Sequence, residues 1–297
     1  MNLINLDESI GEIRYNEPMS AHTTFKIGGP CDVMILPSTV EQIKNAIVFL
    51  NENNMRYMVI GNGSNLLISD AGYRGAIIKL NDNFRDISVD GNRITATSGA
   101  LVTSVSKFAA KHSLSGLEFA EGIPGAIGGA MMMNAGAYGG EFKDVVESVT
   151  AMDRNGNLHT FTGEEMNFRY RGSRVADEDM VVISATMKLE EGNLDEINSK
   201  MKEISEKRRS KQPLELPSAG STFKRPEGYF AGKLIDDSGL RGLQHGGAQV
   251  SQKHCGFIVN SNNATSNEVL ELIDTVRKTV FDNYGVMLET EVKIIEE

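Results

Sequence analysis

The sequence predicts a mixed α and β protein built from two or three domains. Its 297 residues are too many for one compact core. The composition, 40% hydrophobic and 24% charged, is that of an ordinary globular protein. Apolar residues recur at helical spacing in some segments and alternate as in strands in others, with glycine and proline between them.

Helices are predicted where apolar residues recur on one face. Ser38 and Glu41 form a capping box before the first clear helix. Thr265 and Glu268 form another before the last helix, which ends at Gly285. Two further helices are predicted near residues 101–112 and 194–207.

Strands are predicted between these helices. A turn at Asp90-Gly91-Asn92 separates two strands within 76–98, and VMLETEVKII (286–295) reads as a final strand. In that strand Glu289 and Glu291 would point to the same face, because strand side chains alternate. Other strands are predicted at 55–60, 145–162 and 180–188.

The stretch 116–142 holds eight of the 30 glycines and no charged residue between Glu121 and Glu141. Three interpretations are open: a membrane span, a buried loop, or a cofactor cradle. Pro124, Asn134 and the glycines argue against a span. Clustered glycines favour a cradle in which backbone amides face a ligand, often a phosphate.

A second glycine-bearing turn, GNGSNLL (61–67), follows a predicted strand. It begins as G-x-G, but Leu66 stands where the dinucleotide-binding fingerprint has its third glycine. No periodic helix follows, so the fingerprint is not met. A phosphate-binding turn made of Gly61, Gly63, Ser64 and Asn65 remains open.

The net charge of -10 argues against nucleic acid or an anionic membrane as the main partner. An anionic ligand would need a local basic cluster. Residues 207–211 with Lys224 and Arg225 form the best candidate, although a solvated charged face is the usual interpretation of such a cluster. The three arginines of FRYRGSR (168–174) could likewise lie on a solvated hairpin edge.

Cysteine, histidine and the N-terminal segment give further expectations. Cys31 and Cys255 form no disulfide framework, and the five histidines show no metal-ligand spacing, so we expect no metal site. The segment MNLINLDESIGEIRYNEPM has neither a basic start nor an apolar core, so it does not read as a secretory signal. We therefore expect a cytoplasmic protein.

Six segments in order resemble the UDP-N-acetylenolpyruvoylglucosamine reductase family. They cover most of the chain from residue 20 onward: HTTFKIGG (22–29), VIGNGSNLL (59–67), GIPGAIGGAMMMNAGAYG (122–139), FRYRGSR (168–174), AGSTFKRP (219–226) and LETEV (288–292). Each is weakly specific alone, but six in order are hard to explain by chance.

The resemblance implies an α+β protein with the FAD-binding fold of the vanillyl-alcohol-oxidase (PCMH) type, in two lobes, and a C-terminal α+β substrate domain. The first lobe would span 1–55 and be joined by the strand 292–297. The second lobe would span 56–195, and the UDP-sugar domain 205–291. We expect a monomer.

The resemblance also places the site residues one at a time. Arg171, Ser221 and Glu291 match the family's catalytic arginine, serine and glutamate. The cofactor-binding residues it implies are Gly61, Asn62, Gly63, Ser64, Asn65, Leu66, Gly122, Pro124, Gly125, Gly128, Gly129, Asn134 and Gly136. The substrate-binding residues we expect are Tyr170, Lys224, Arg225, Arg209 and Lys211.

The implied reaction has two halves. NADPH reduces non-covalently bound FAD, and flavin N5 then gives a hydride to C3 of the enolpyruvyl group of UDP-N-acetylglucosamine-enolpyruvate, a peptidoglycan precursor. Arg171 would hold the substrate carboxylate, Ser221 would deliver a proton to C2, and Glu291, protonated or hydrogen-bonded, would support the developing enol. Without the resemblance, Glu291 would read as an exposed edge-strand charge.

Two departures from the family pattern stand out. Thr290 replaces the usual proline between the two C-terminal glutamates, and only 50 positions separate Arg171 from Ser221. That spacing excludes the inserted tyrosine-bearing loop of the longer class and indicates the compact class. Two other functions stay open: an FAD oxidase of the same wider fold, and a non-catalytic nucleotide-sugar or flavin sensor.

Overall fold

The computed structural model describes residues 8–296, which divide into two compact units. The first unit comprises the chain up to residue 15, 33–62 and 75–207; the second comprises 16–32, 63–74 and the chain from 208 onward. Residues 1–7 and 297 lie outside the described residues. Both ends of the predicted first lobe therefore fall outside them. So does the start of the N-terminal segment that was expected to lack a secretory signal. The bounds of the three expected domains remain a prediction.

Seven α-helices and eighteen strands run through the described residues. The helices are α1 (Val40–Glu52), α2 (Val102–Lys111), α3 (Ile127–Met133), α4 (Arg174–Asp177), α5 (Leu194–Lys211), α6 (Ala231–Asp237) and α7 (Ser266–Tyr284). The strands are β1 (Glu12–Pro18), β2 (Pro30–Leu36), β3 (Tyr57–Ile60), β4 (Leu66–Ile68), β5 (Tyr73–Lys79), β6 (Ile87–Asp90), β7 (Arg93–Thr97), β8 (Leu114–Ser115), β9 (Gly136–Ala137), β10 (Gly140–Glu141), β11 (Val146–Met152), β12 (Leu158–Thr162), β13 (Val181–Lys188), β14 (Glu190–Glu191), β15 (Gln244–His245), β16 (Ala248–Val250), β17 (Ile258–Asn260) and β18 (Lys293–Ile295).

The first unit packs helices against two sheets. The five-stranded sheet has the order β12-β11-β13-β7-β6 and is antiparallel throughout. Its apolar face meets α2 and α3, with Val105 and Ile127 fully buried between them. The other sheet has the order β1-β2-β5-β3, and Ile43 and Ile47 of α1 are buried against it. This arrangement confirms a mixed helix and strand architecture.

The second unit has one antiparallel sheet, β15-β16-β17, and one parallel pair, β18-β4. Helix α7 buries the face predicted from its sequence, and α6 packs beside it. Phe25, Leu67 and Phe223 come from distant parts of the chain and join the same core. The second unit is therefore built from segments that lie far apart in sequence.

The glycine stretch 116–142 contains only short elements. It contains a short 3₁₀ helix, the seven-residue α3 and the paired strands β9 and β10. No helix was predicted here, and Gly128 and Gly129 have low helix propensity. Ile127 and Met131, both fully buried, hold α3 against the core instead. Within residues 8–296, no helix is both long and apolar enough to cross a membrane.

The predicted caps differ in outcome. Thr265 and Glu268 form the capping box of α7, and Gly285 ends that helix at φ 67°, as predicted. The capping box at Ser38 was wrong by one residue: Thr39 caps α1 by accepting from the Gln42 backbone N–H. The Ser38 hydroxyl donates instead to the Gln42 side chain (2.9 Å).

Two predicted element bounds also differ. The final strand was predicted from residue 286, but only Lys293–Ile295 forms one. Residues 289–291 lie instead beside the 222–224 segment, where Phe223 and Thr290 form an isolated antiparallel bridge. The face shared by Glu289 and Glu291 was therefore inferred from a strand that does not form. Helix α5 runs past the predicted residue 207 to Lys211.

Candidate active site

In the first unit, the turn at Gly61 packs directly on the glycine stretch. A Cβ placed on Gly61 would lie 2.9 Å from the Cβ of Ala126, so only glycine fits this contact. The Asn62 amide donates to the Pro124 carbonyl at 2.5 Å. Gly122 has φ 78°, a conformation that glycine adopts at no steric cost. The two segments predicted to hold the cofactor therefore meet in this unit.

Backbone donors in this stretch fit a phosphate group. None of the backbone hydrogen bonds found among residues 8–296 uses the N–H of Gly122, Gly125 or Gly129 as donor. A Cβ on Gly129 would meet nothing within 4 Å, so that residue borders open space. By contrast, the Gly128 N–H donates to the Ser98 carbonyl (2.8 Å), which fixes the start of α3. Open glycine amides are the donor set that a pyrophosphate such as that of FAD requires.

Asn134 and Gly136, also predicted to bind the cofactor, make their contacts inside the protein. Asn134 ends α3 at φ 43°, and only 1% of it is exposed. Its amide donates to the Glu141 carboxylate (2.7 Å) and accepts from the Lys143 N–H (2.9 Å). A Cβ on Gly136 would lie 2.7 Å from the Gly140 carbonyl oxygen. These residues fix the shape of the glycine stretch.

Arg171 lies at the tip of a tight turn in the first unit. Arg169 and Gly172 pair across this turn, and Arg171 between them has φ 55°. The guanidinium of Arg171 lies 5.0 Å from the ring centre of Tyr170, which is 55% exposed. The buried Ser173 hydroxyl anchors the turn by donating to the Met132 carbonyl at 3.0 Å. The turn thus presents a stacked arginine and tyrosine on a fixed base.

Ser221 belongs to the second unit and follows Gly220, which has φ 76°. A Cβ on Gly220 would meet nothing within 4 Å, so the backbone here borders open space. Thr222, the next residue, is buried, and its N–H donates to the Gly256 carbonyl (2.8 Å). Its hydroxyl accepts from the Ile258 N–H at 3.0 Å. Ser221 is partly exposed on a segment whose following residue is fixed in the core.

Glu291 is held by hydrogen bonds on both sides of its backbone. Its N–H donates to the Thr222 carbonyl at 2.8 Å, next to Ser221. Its carbonyl accepts from the Asn65 side-chain amide at 3.0 Å. The Asn65 carbonyl accepts in turn from the Lys293 N–H (2.9 Å). Within the second unit, Asn65, Thr222 and Glu291 therefore belong to one hydrogen-bonded assembly, and Ser221 directly precedes Thr222.

Ser64 and Leu66, the other predicted cofactor residues of this turn, are partly buried, and Leu66 begins β4. Gly63 before them has φ 61° and no space for a side chain, because a Cβ would lie 2.2 Å from the His22 carbonyl oxygen. The close approach of two backbones explains the glycine at this position.

Lys224 and Arg225 follow directly after the segment 221–223. The Lys224 ammonium forms an ion pair with Glu289 at 3.0 Å. The Arg225 guanidinium stacks over the Phe230 ring at 4.0 Å from its centre. Phe230 is 59% exposed, so this stack lies at the surface. Both cations are available to solvent, but each already has an internal contact.

The remaining predicted cations, Arg209 and Lys211, are exposed in the last turn of α5. These two residues belong to the second unit, as do Ser221 and Glu291, whereas Tyr170 and Arg171 belong to the first. Sequence reasoning missed two neighbours of the site, Thr24 and Phe230. Thr24 lies in the HTTFKIGG segment that carries the resemblance, but no sequence signal distinguished Phe230. Glu289 was expected beside Glu291, but its ion pair with Lys224 was not predicted.

Neither cysteine is placed for chemistry. Cys31 and Cys255 are buried free thiols, and burial raises the pKa of each to about 11. A thiol with so high a pKa is a poor nucleophile near neutral pH. Across the part of the chain that the structure describes, no group of three His, Cys, Asp or Glu side chains could hold a metal ion.

Known proteins resemble this chain along its length. Residues 31–162 match the family described as an FAD binding domain, and residues 212–295 match the C-terminal domain of UDP-N-acetylenolpyruvoylglucosamine reductase. The reductase of that name from Clostridioides difficile (strain 630) is 50% identical over 297 residues, which cover 100% of this chain and 97% of the relative. The one from Syntrophomonas wolfei is 50% identical over 285 residues, with 96% and 95% covered.

A solved structure shares the fold. The UDP-N-acetylenolpyruvylglucosamine reductase of Thermus caldophilus is 35% identical, with a TM-score of 0.83 over 96% of this chain and 98% of that one. The predicted cofactor residues all lie within the FAD-domain match, and Ser221 and Glu291 lie within the C-terminal match. Arg171 falls between the two matched regions.

Proposed function

Because this chain belongs to the UDP-N-acetylenolpyruvoylglucosamine reductase family, we propose that it reduces UDP-N-acetylglucosamine-enolpyruvate to UDP-N-acetylmuramate with NADPH. Membership makes it an FAD-binding oxidoreductase of peptidoglycan precursor synthesis. When bound, FAD would supply the hydride chemistry that links NADPH to C3 of the enolpyruvyl group. The protein supplies binding, orientation and the proton.

Residues of the first unit fit the phosphates of the cofactor. The open amides of Gly122, Gly125 and Gly129 would hold its phosphates, and Asn62 fixes the opposing turn through Pro124. No histidine, cysteine or tyrosine occurs in the turn 61–66, which supports non-covalent binding.

Arg171 is proposed to hold the carboxylate of the enolpyruvyl group. A guanidinium meets a carboxylate through two parallel N–H donors, and it stabilises the charge that grows there during reduction. The stack on Tyr170, 5.0 Å away, supports this role because it restricts the rotamers of a long side chain.

Ser221 is proposed to donate the proton to C2. A hydroxyl is a weak acid near neutral pH, so it needs a neighbour that eases proton loss. Glu291 is proposed to support the developing enol. The observation that carries this proposal is that Thr222, next to Ser221, is hydrogen-bonded to the backbone of Glu291 at 2.8 Å. The two proposed groups lie on adjoining, fixed segments.

The pyrophosphate of the substrate is proposed to meet Lys224, Arg225 and the cations of α5. An acidic chain offers few other cationic surfaces for a doubly charged group. Binding there would require Lys224 to exchange its ion pair with Glu289 for the substrate. The protein is further proposed to act as a monomer in the cytoplasm, which sedimentation and cell fractionation would test.

The test measures the two half-reactions separately in the Ser221→Ala variant. If the hydroxyl only protonates C2, the variant binds FAD and is bleached by NADPH at the parent rate. Reoxidation by the enolpyruvyl sugar slows by roughly 10²–10⁴-fold, the usual effect of a positioned general acid. Cysteine at this position restores part of the rate. Stopped-flow absorbance of the flavin follows each half separately.

Ser238→Ala is the matched control. The Ser238 hydroxyl is also in the second unit, is buried and has no hydrogen-bond partner among the described residues. Its loss should change neither half-reaction. Equal slowing of both halves in Ser221→Ala, or of neither, would exclude the proton-donor role. Parent protein that NADPH fails to bleach without oxygen would instead favour the oxidase interpretation.

A further inference from the structure

The segment HTTFKIGG (22–29) has no role in the chemistry proposed above. It is firmly anchored in the second unit, because Phe25 and Ile27 are 1% and 2% exposed in its core. The Thr23 hydroxyl donates to the Ile27 carbonyl at 3.1 Å and closes a local turn. The Asn260 side chain donates to the Phe25 carbonyl at 3.2 Å. This segment is a fixed support rather than a loose connection.

Thr24 projects from this support and contacts two parts of the candidate site. Its N–H donates to the Gly63 carbonyl at 3.3 Å, within the cofactor turn. Its hydroxyl donates to the Ser218 carbonyl at 2.7 Å, three residues before Ser221. Both partners belong to the same unit as Thr24. One residue thus joins the cofactor turn to the Ser221 segment.

We infer that Thr24 is a positioning residue that fixes the Ser221 segment relative to the Gly63–Asn65 turn. The inference rests on the proposed function, since it assigns Ser221 to proton transfer. Thr24 touches neither reactant in this scheme. It acts through the Ser218 carbonyl and therefore affects where the Ser221 hydroxyl lies.

The Ser221 segment needs such a support on its N-terminal side. Downstream, Thr222 is fixed by Gly256 and Glu291, whereas upstream Gly220 has φ 76° and open space around it. Ser218 bridges to Val259 on one side, and Thr24 holds its carbonyl on the other. Release of that carbonyl would let the 218–221 segment shift. A displacement of about 1 Å at a reacting group can slow a reaction by roughly 10²-fold.

Thr24→Val tests this inference because it removes the hydroxyl and keeps the shape. The Gly63 bond uses the backbone N–H and survives, so FAD binding and bleaching by NADPH should match the parent. Reoxidation by the enolpyruvyl sugar should slow by roughly 10- to 100-fold. Thr24→Ser keeps the hydroxyl and should restore most of the rate.

Thr23→Val is the matched control. It removes the neighbouring hydroxyl, whose bond to Ile27 stays within the support. It should lower stability as Thr24→Val does, yet leave both half-reactions at the parent rate. If the two valine variants slow reoxidation equally, or if Thr24→Val slows both halves alike, Thr24 is merely structural and the inference is overturned.

A second measurement does not depend on the sugar. Hydrogen exchange of the holoenzyme should be faster over residues 217–224 in Thr24→Val and unchanged there in Thr23→Val. Unchanged exchange in Thr24→Val overturns the positioning role, whatever the activity. If instead the exchange responds but the parent protein is not reoxidised by the sugar, the proposed function fails while the mechanical link stands.

Discussion

Gly63→Ala tests whether the close approach of two backbones shapes the 61–66 turn, which is proposed to bind FAD. Gly63 has φ 61°, and a Cβ there would lie 2.2 Å from the His22 carbonyl oxygen and 3.0 Å from the Thr23 Cα. The left-handed conformation alone costs alanine about 1–2 kcal/mol. The clash with backbone, which cannot rotate away, adds about 1–3 kcal/mol, typical of overpacking. Together these effects lower the free energy of unfolding by roughly 2–5 kcal/mol.

Gly285→Ala supplies the matched control in the same unit. Gly285 has φ 67°, and a Cβ there would meet nothing within 4 Å, so only the conformational cost of about 1–2 kcal/mol applies. Urea unfolding followed by circular dichroism measures both variants, and flavin fluorescence measures FAD retention. We expect Gly63→Ala to lose more stability than Gly285→Ala and to retain less FAD. Equal losses of stability in the two variants would refute the close-approach argument.

Three further predictions address the cofactor link, a cationic side chain proposed to bind the substrate, and the pH dependence of stability. Acid denaturation followed by centrifugation should leave yellow flavin in the supernatant; a yellow pellet would indicate a covalent link. Arg225→Ala should raise the KM for the UDP-sugar by roughly 10- to 100-fold, the effect of losing one charge-assisted contact, and leave flavin reduction unchanged. The control is Arg241→Ala, which should leave the KM unchanged because the Arg241 guanidinium pairs with Asp236. An unchanged KM in Arg225→Ala would remove Arg225 from the site. Burial lowers the pKa of His254, whose Nδ1 accepts from the Gly256 N–H at 3.1 Å. The contribution of His254 to the free energy of unfolding is therefore fully present above its unfolded pKa of about 6.5. It is lost as the pH falls through the folded pKa. Relative to His254→Gln, the parent should therefore lose unfolding free energy on acidification below about pH 6.5, and parallel pH profiles would contradict this.

Local sequence patterns predicted the features that depend on local chemistry. The α7 capping box needs only Thr265 and Glu268 at the right spacing, and Gly285 supplies the left-handed C-cap. The cap at Ser38 failed because Thr39 is also a good N-cap, and spacing alone cannot choose between adjacent hydroxyl residues.

Features that depend on distant contacts were not predictable from the sequence pattern. Helix α3 forms within a glycine stretch because its apolar residues meet a core that the local sequence does not reveal. The 286–292 segment alternates like a strand, yet it lies beside Phe223, 67 positions away. The same reason hid the hydrogen bond between Asn65 and Glu291, although both residues were expected in the site.

The interleaved path of the chain has a consequence for folding and for protein engineering. The parallel pairing of β4 with β18 joins Leu66 to Lys293, and the core of the second unit needs Phe25 as well as α7. Contacts of such long sequence separation form late and slowly, because loop closure costs entropy first. A fragment cut from 208 onward would lack Phe25 and Leu67 and would expose their apolar partners to water. Swapping this unit between homologues therefore requires transplanting all three of its chain segments together.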